Sequence, residues 1–158
     1  DRELLKSYGY TWAKNIYMDN MKAPFKGHNP EWTISAAMEF VEEHKDQPFF
    51  LYYGTTLLHG PNKEWYNSLT EKELVTAEGF LEKPIGIMDR GSVITRLEGA
   101  GLDPVNNAGY LWMDDSLGML LDKLEELGIA DNTLVCFVAD HGSKRKGSLY
   151  TIDGTEVP

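Results

Sequence analysis

Cysteine is almost missing from this chain: Cys136 stands alone among 158 residues. No intrachain disulfide can staple the fold, and cysteine usage leaves the redox compartment unreadable. Long apolar runs are missing as well. No stretch approaches the roughly 20 residues needed to span a bilayer, and the opening Asp1-Arg-Glu-Leu-Leu-Lys6 lacks the apolar core of a secretory signal, so no membrane partner is expected. Positive charge is scarce: 15 basic residues face 25 acidic ones, for a net charge of -10. That balance disfavours nucleic acid as a partner, and an anionic substrate would need a local basic pocket working against the global field. An initiator methionine is absent too, and the chain stops at Glu156-Val-Pro158 directly after a charged motif. The expectation is a single partial domain over residues 1–158, a piece of a longer protein.

What is present suffices for a core, since 42% of the residues are hydrophobic. Residues 10–18 alternate aromatic and β-branched side chains unevenly and read as a strand. Asn29-Pro30 is a helix start, an N-cap residue followed by proline at the first helical position, and the spacing of Thr33, Ala37, Phe40, Val41 and His44 predicts a helix over 30–45. Glu39, Glu42 and Glu43 fall on its water-facing side. The break at Asp46-Gln-Pro48 precedes Phe49-Phe-Leu-Tyr-Tyr53, a continuous apolar run of the kind covered on both faces of a parallel sheet. It ends at Gly54 and feeds a loop containing His59.

Residues 62–105 are irregular, with short helical candidates at 63–68 and 71–82, and read as an excursion over the surface, where substrate choice is often made. From Asn107 to Leu127 runs a helix with Met113, Leu117, Leu120, Leu121, Leu124 and Leu127 on one face and Gly128 as its stop. Gly118 inside it costs roughly 1 kcal/mol against alanine, which points to close backbone packing. The run Thr133–Ala139 then reads as a buried strand, with Cys136 in its middle. Strand, helix, strand, excursion, helix, strand is an α/β order, and in such folds ligands bind at the carboxyl ends of the strands.

Asp140 and His141 lie at such an end. A carboxylate and an imidazole together suit a divalent cation, although Asp-His-Gly is equally at home in an ordinary turn. Lys144, Arg145 and Lys146 form either a solvated basic turn or a set of contacts for a bound anion. His59 is either an idle loop histidine or a group able to hydrogen-bond an ester oxygen and protonate a leaving group. Asp114 and Asp115 are adjacent on a helix and point about 100° apart, so they do not readily grip one ion. His28 and His44 suggest no role.

Leu134-Val-Cys-Phe-Val-Ala-Asp-His-Gly142, followed by Lys146-Gly-Ser-Leu-Tyr150, resembles the second metal motif and lysine loop of the sulfatases, within the alkaline-phosphatase-like superfamily. The resemblance extends to residues 48–61, where His59 matches the substrate histidine of a His-x-Pro motif. It implies an α/β fold with a mainly parallel sheet flanked by helices, here incomplete, and hydrolysis of sulfate esters. It further implies Asp140 and His141 as metal ligands, and His59 and Lys146 as catalytic contacts to the ester. Ca2+ is the implied cation, with Mn2+, Mg2+ and Zn2+ open. A periplasmic or secreted location is implied for the parent.

The sequence also departs from the pattern. The Cys/Ser-x-Pro/Ala-x-Arg motif that yields the family's formylglycine nucleophile is absent, as are the paired aspartates that open its metal site. Cys136 cannot stand in, because Val138 and Asp140 occupy the positions that require Pro or Ala and Arg. After Tyr150, the usual Glu-Gly-Gly-x-Arg-x-Pro has one extra residue, and Glu156 stands where arginine is common. A missing N-terminal half of the domain is therefore an expected partner, the chain alone is expected to be inactive, and self-association is expected from exposed sheet edge. Two rival readings remain: a phosphodiesterase or phosphonate monoester hydrolase of the same superfamily, and a non-catalytic binding or assembly module.

Overall fold

The computed structural model describes residues 2–17, 25–71, 74–139, 150–152 and 155–157. Helices dominate: α1 (Arg2–Ser7), α2 (Pro30–His44), α3 (Asn62–Glu71), α4 (Arg90–Gly99) and α5 (Pro104–Glu126). Two small antiparallel hairpins accompany them, β1 (Val75–Thr76) with β2 (Gly79–Phe80) and β3 (Tyr150–Ile152) with β4 (Thr155–Val157). Among the described residues no helix is long and apolar enough to cross a membrane.

Helix α2 starts where its cap dictates. The Asn29 side-chain oxygen accepts from the Trp32 N–H at 3.2 Å, with Pro30 at the first helical position. Helix α5 begins the same way, three residues earlier than its periodicity indicates: Asp103 accepts from the Val105 N–H at 3.1 Å ahead of Pro104. Gly128, at φ 69°, follows its C-terminal end.

Helix α5 is the spine. Its buried stripe runs Ala108, Trp112, Ser116, Leu120, Leu124, one i+4 row, while Leu121 is exposed. The first half of that row joins Trp65, Leu69, Val93 and Leu97 in a core formed with α3 and α4. The second half packs with Ile34, Ala37, Phe40 and Val41 of α2. The close backbone approach lies at Gly109, where a Cβ would stand 2.6 Å from the Trp65 ring; Gly118 has nothing within 4 Å of that position. Expecting close packing at Gly118 named the wrong glycine of the same helix.

A buried ion pair ties the layers together. The Arg90 guanidinium donates to both Glu31 carboxylate oxygens, with Nη2–Oε2 at 2.9 Å, to the Ser68 carbonyl at 2.9 Å and to the Asn29 side-chain oxygen at 3.1 Å. It also lies over the Trp112 ring, 4.9 Å from the centroid. One side chain at the start of α4 therefore touches α2, α3 and α5.

Several expected elements are corrected. Residues 10–17 form no strand: Trp12 lies on Phe40 and Tyr17 on Trp32, while Asn15 takes φ 52°, a left-handed conformation that interrupts an extended run. The helical candidate at 71–82 gives way to the β1–β2 hairpin, whose turn is closed by Thr76 Oγ1 donating to the Gly79 carbonyl at 2.8 Å, with Gly79 at φ 126°. Residues 62–105 carry α3, this hairpin and α4, and contribute Trp65, Leu69, Val93 and Leu97 to the core.

Neither 48–54 nor 133–139 pairs in a ladder. Phe49, Leu51 and Tyr53 pack on the α2 and α5 core, whereas Phe50 and Tyr52 are 76% and 72% exposed. The run is thus covered on one face rather than two, with the period of two that places alternate side chains on opposite faces. Leu134, Phe137 and Val138 are exposed, and Cys136 is exposed rather than buried. A strand exists only through a hydrogen-bonded neighbour, and no described segment supplies one. Among the described residues the architecture is helical with two small hairpins, and the expected α/β arrangement with a parallel sheet is not formed.

Candidate functional site

Of the four residues singled out by sequence, His59 lies in the described structure, and Asp140, His141 and Lys146 lie outside the described residues. The expected grouping of His59 with Asp140 and His141 in one cleft lies outside them too. Among the described residues no group of three or more His, Cys, Asp or Glu side chains is arranged to hold a metal. Asp115 instead forms an ion pair with Arg96, joining α4 to α5.

His59 is exposed, but its backbone is pinned on both sides. Its N–H donates to the Thr56 carbonyl at 3.0 Å, closing a tight turn over residues 56–59, and its carbonyl accepts from Trp65 Nε1–H at 3.1 Å. The indole is 3% exposed and lies against α5, so the turn is anchored to the core. Gly60 follows at φ 94°, with Glu64 Oε2 only 3.0 Å from where a Cβ would sit. Any side chain there would be strained and would meet that carboxylate. Glu64 in turn forms an ion pair with Lys26.

Beneath the turn lies His28, which has no solvent exposure. Its backbone N–H donates to Ser68 Oγ at 2.9 Å, and its Nδ1 stands 2.9 Å from Thr56 Oγ1. Nε2 is buried with no hydrogen-bond partner among the described residues. Burial pushes the ring's pKa down from 6.5 to about 4; the Glu64 carboxylate works in the opposite direction, and His59 adds slightly to the depression. The ring is therefore neutral at pH 7. Sequence reasoning passed over His28 because its partners, Thr56 and Ser68, lie 28 and 40 residues away and no local spacing announces them.

The turn presents an exposed imidazole at one end and a hydroxyl at the other, with a neutral imidazole below. Such a group can hydrogen-bond an ester oxygen or deliver a proton from a fixed position. Known proteins resemble this sequence. An N-acetylgalactosamine-6-O-sulfatase of Bacteroides thetaiotaomicron is 30% identical over 106 residues, covering 67% of this chain and 15% of the relative. An arylsulfatase of Hemicentrotus pulcherrimus is 29% identical over 143 residues, covering 77% and 24% respectively. A human N-acetylgalactosamine-6-sulfatase is 28% identical over 112 residues, covering 70% and 16%. The matches therefore span between 15% and 24% of these relatives' lengths. The family model described as Sulfatase matches residues 3–156, nearly the whole chain, and the protein that carries this pinned histidine turn belongs to the sulfatase family.

Proposed function

We propose that this chain supplies the substrate-binding side of a sulfuric ester hydrolase, with His59 and Lys146 contacting the ester. The observation that carries this reading is the His59 turn: an exposed imidazole on a residue whose backbone N–H and carbonyl are both tied down, in a sulfatase-family chain. A donor carried on a pinned backbone has its point of attachment set before substrate arrives, which favours a hydrogen bond to developing negative charge. His59 then donates to an oxygen of the sulfate ester, and Lys146 neutralises charge on the oxygens of the transferring group. A sugar sulfate is the substrate class suggested by relatives named for sulfated N-acetylgalactosamine.

Asp140 and His141 are the proposed ligands of a divalent cation, Ca2+ first, with Mn2+, Mg2+ and Zn2+ as alternatives. An oxygen and an imidazole donor fit such an ion chemically, but two ligands fall short of the roughly six to eight that calcium takes. The remainder, together with the nucleophile, is assigned to the rest of a longer protein. When bound, the cation would supply Lewis-acid polarisation of the ester oxygens. The parallel sheet belongs to the same proposal, with residues 48–54 and 133–139 as strands completed by segments beyond this chain.

The experiment is turnover of an aryl sulfate and of 6-sulfated N-acetylgalactosamine by the full-length protein. His59→Ala and Lys146→Ala should each lower kcat by about 10²–10³, the scale for loss of one preorganised transition-state contact. Full activity in both variants would overturn the assignment. Preferential turnover of a phosphate diester would move the chain to the phosphodiesterase reading.

A further inference from the structure

We propose that Thr56 is a second substrate-contacting residue beside His59, and that the buried His28 is the positioning residue that aims its hydroxyl. The inference rests on reading His59 as an ester-binding histidine. Thr56 and His59 are the two ends of one turn, closed by the 3.0 Å bond between them, and the Cα atoms at the ends of such a turn lie within about 7 Å. The hydroxyl and the imidazole are thus carried by adjacent backbone. Thr56 is half-buried: its Oγ1 meets His28 Nδ1 at 2.9 Å on the inner side, and the residue keeps some contact with solvent.

His28 is held where it can do this. Its own N–H is fixed by Ser68 of α3, and the ring has no solvent exposure. The tautomer decides what Thr56 can offer. A neutral imidazole carries one ring proton. On Nε2 it would be a buried donor without a partner among the described residues; on Nδ1 it donates to Thr56, and only a bare acceptor is left at Nε2. Buried orphan N–H groups are the rarer of the two. The Nδ1–H form follows, with Thr56 Oγ1 accepting. The hydroxyl hydrogen is then free to donate outward, to an oxygen of an anionic ester bound at His59.

The charged groups around the ring fit this role. Glu64 favours the protonated ring, His59 opposes it, and Lys26 is paired with Glu64. Burial outweighs them all, so His28 does not act as a second cation toward the ester.

Two measurements test the proposal. In the chain as it stands, long-range nitrogen–proton NMR correlations of the histidine rings should show His28 as the uncharged Nδ1–H tautomer at pH 7; an Nε2–H tautomer or a protonated ring overturns it. In the full-length protein with an aryl sulfate, Thr56→Val should lower kcat/KM about 10–100-fold, the strength of a hydrogen bond to a charged acceptor, while Thr56→Ser keeps most of the activity. His28→Leu should lose as much as Thr56→Val. His28→Asn, whose amide N–H can replace the Nδ1–H, should recover most of that loss. Combining Thr56→Val with His28→Leu should cost nothing further, because both act through one hydroxyl. Full activity in Thr56→Val, or additive losses in the double variant, overturns the proposal. Should His28→Leu fail to fold, the contrast between Val and Ser at 56 carries the test. His59→Ala separates the two layers: loss there with Thr56→Val fully active sinks this inference alone, and full activity in His59→Ala sinks the reading beneath it.

Discussion

Replacing Arg90 with alanine should be among the most damaging single changes in this chain. Arg90 and Glu31 are 8% and 3% exposed, and the pair is bidentate. Removing one partner of a buried pair leaves an uncompensated charge, a loss of about 3–5 kcal/mol. The Ser68 carbonyl and the Asn29 side-chain oxygen each lose a donor in the same step. Against a total stability of roughly 5–15 kcal/mol for a domain, that is about a fifth or more of the whole. Glu31→Leu alone should cost a similar amount, for the mirror-image reason. Removing both charges together, as Arg90→Met with Glu31→Leu, should cost only about 1–3 kcal/mol, since no charge is stranded and the remaining loss is of neutral hydrogen bonds. Urea unfolding at fixed protein concentration, followed by tryptophan fluorescence, measures these variants together with Arg90→Met alone, and the double-mutant cycle of Arg90→Met and Glu31→Leu should be non-additive by several kcal/mol. A loss under about 1 kcal/mol for Arg90→Ala, or an additive cycle, would refute the reasoning that this pair is an obligate unit.

Other expectations follow from equally local features. The buried His28 should make stability fall as the medium is acidified. The unfolded ring takes a proton near pH 6.5 and the folded ring only near 4, so the unfolded state binds more protons between those values, and about 3 kcal/mol present above pH 6.5 is lost by pH 4. Urea midpoints across that window should show the slope, and His28→Phe should flatten it. Gly118→Ala should stabilise by roughly 0.5–1 kcal/mol through helix propensity, whereas Gly109→Ala should destabilise by about 1–3 kcal/mol because its methyl meets the Trp65 ring; thermal melts of opposite sign check the pair. The outward Phe50, Tyr52, Leu134 and Phe137 should make the isolated chain associate, and Phe50→Lys with Leu134→Lys should shift sedimentation toward monomer.

Local signals were the legible ones. The cap at Asn29-Pro30 and the apolar spacing behind it place α2 within a residue of its observed ends. Asp103-Pro104 carries the same signature, and periodicity counted from Asn107 overlooked it. The apolar runs at 48–54 and 133–139 describe what those residues want to bury; whether they form strands depends on neighbours, which a run of Phe, Leu and Val does not specify. In the site, His59 stood out because a histidine in a loop after an apolar run is conspicuous. Its supports did not, since Trp65, Thr56 and His28 act through a carbonyl, a turn closure and a contact across 28 residues.

The Trp65 indole is a mechanical link between the turn and the central helix. It is a rigid plate with few rotatable bonds, set close against α5 at Gly109, and its Nε1–H holds the His59 carbonyl. The turn is therefore referenced to the central helix as well as to the chain that flanks it. A sideways shift of α5 would displace the indole and, with it, the carbonyl of His59. A position some fifty residues away in sequence thus acts as a fine adjustment for the reach of His59, and larger side chains at 109 would re-aim the histidine without touching it.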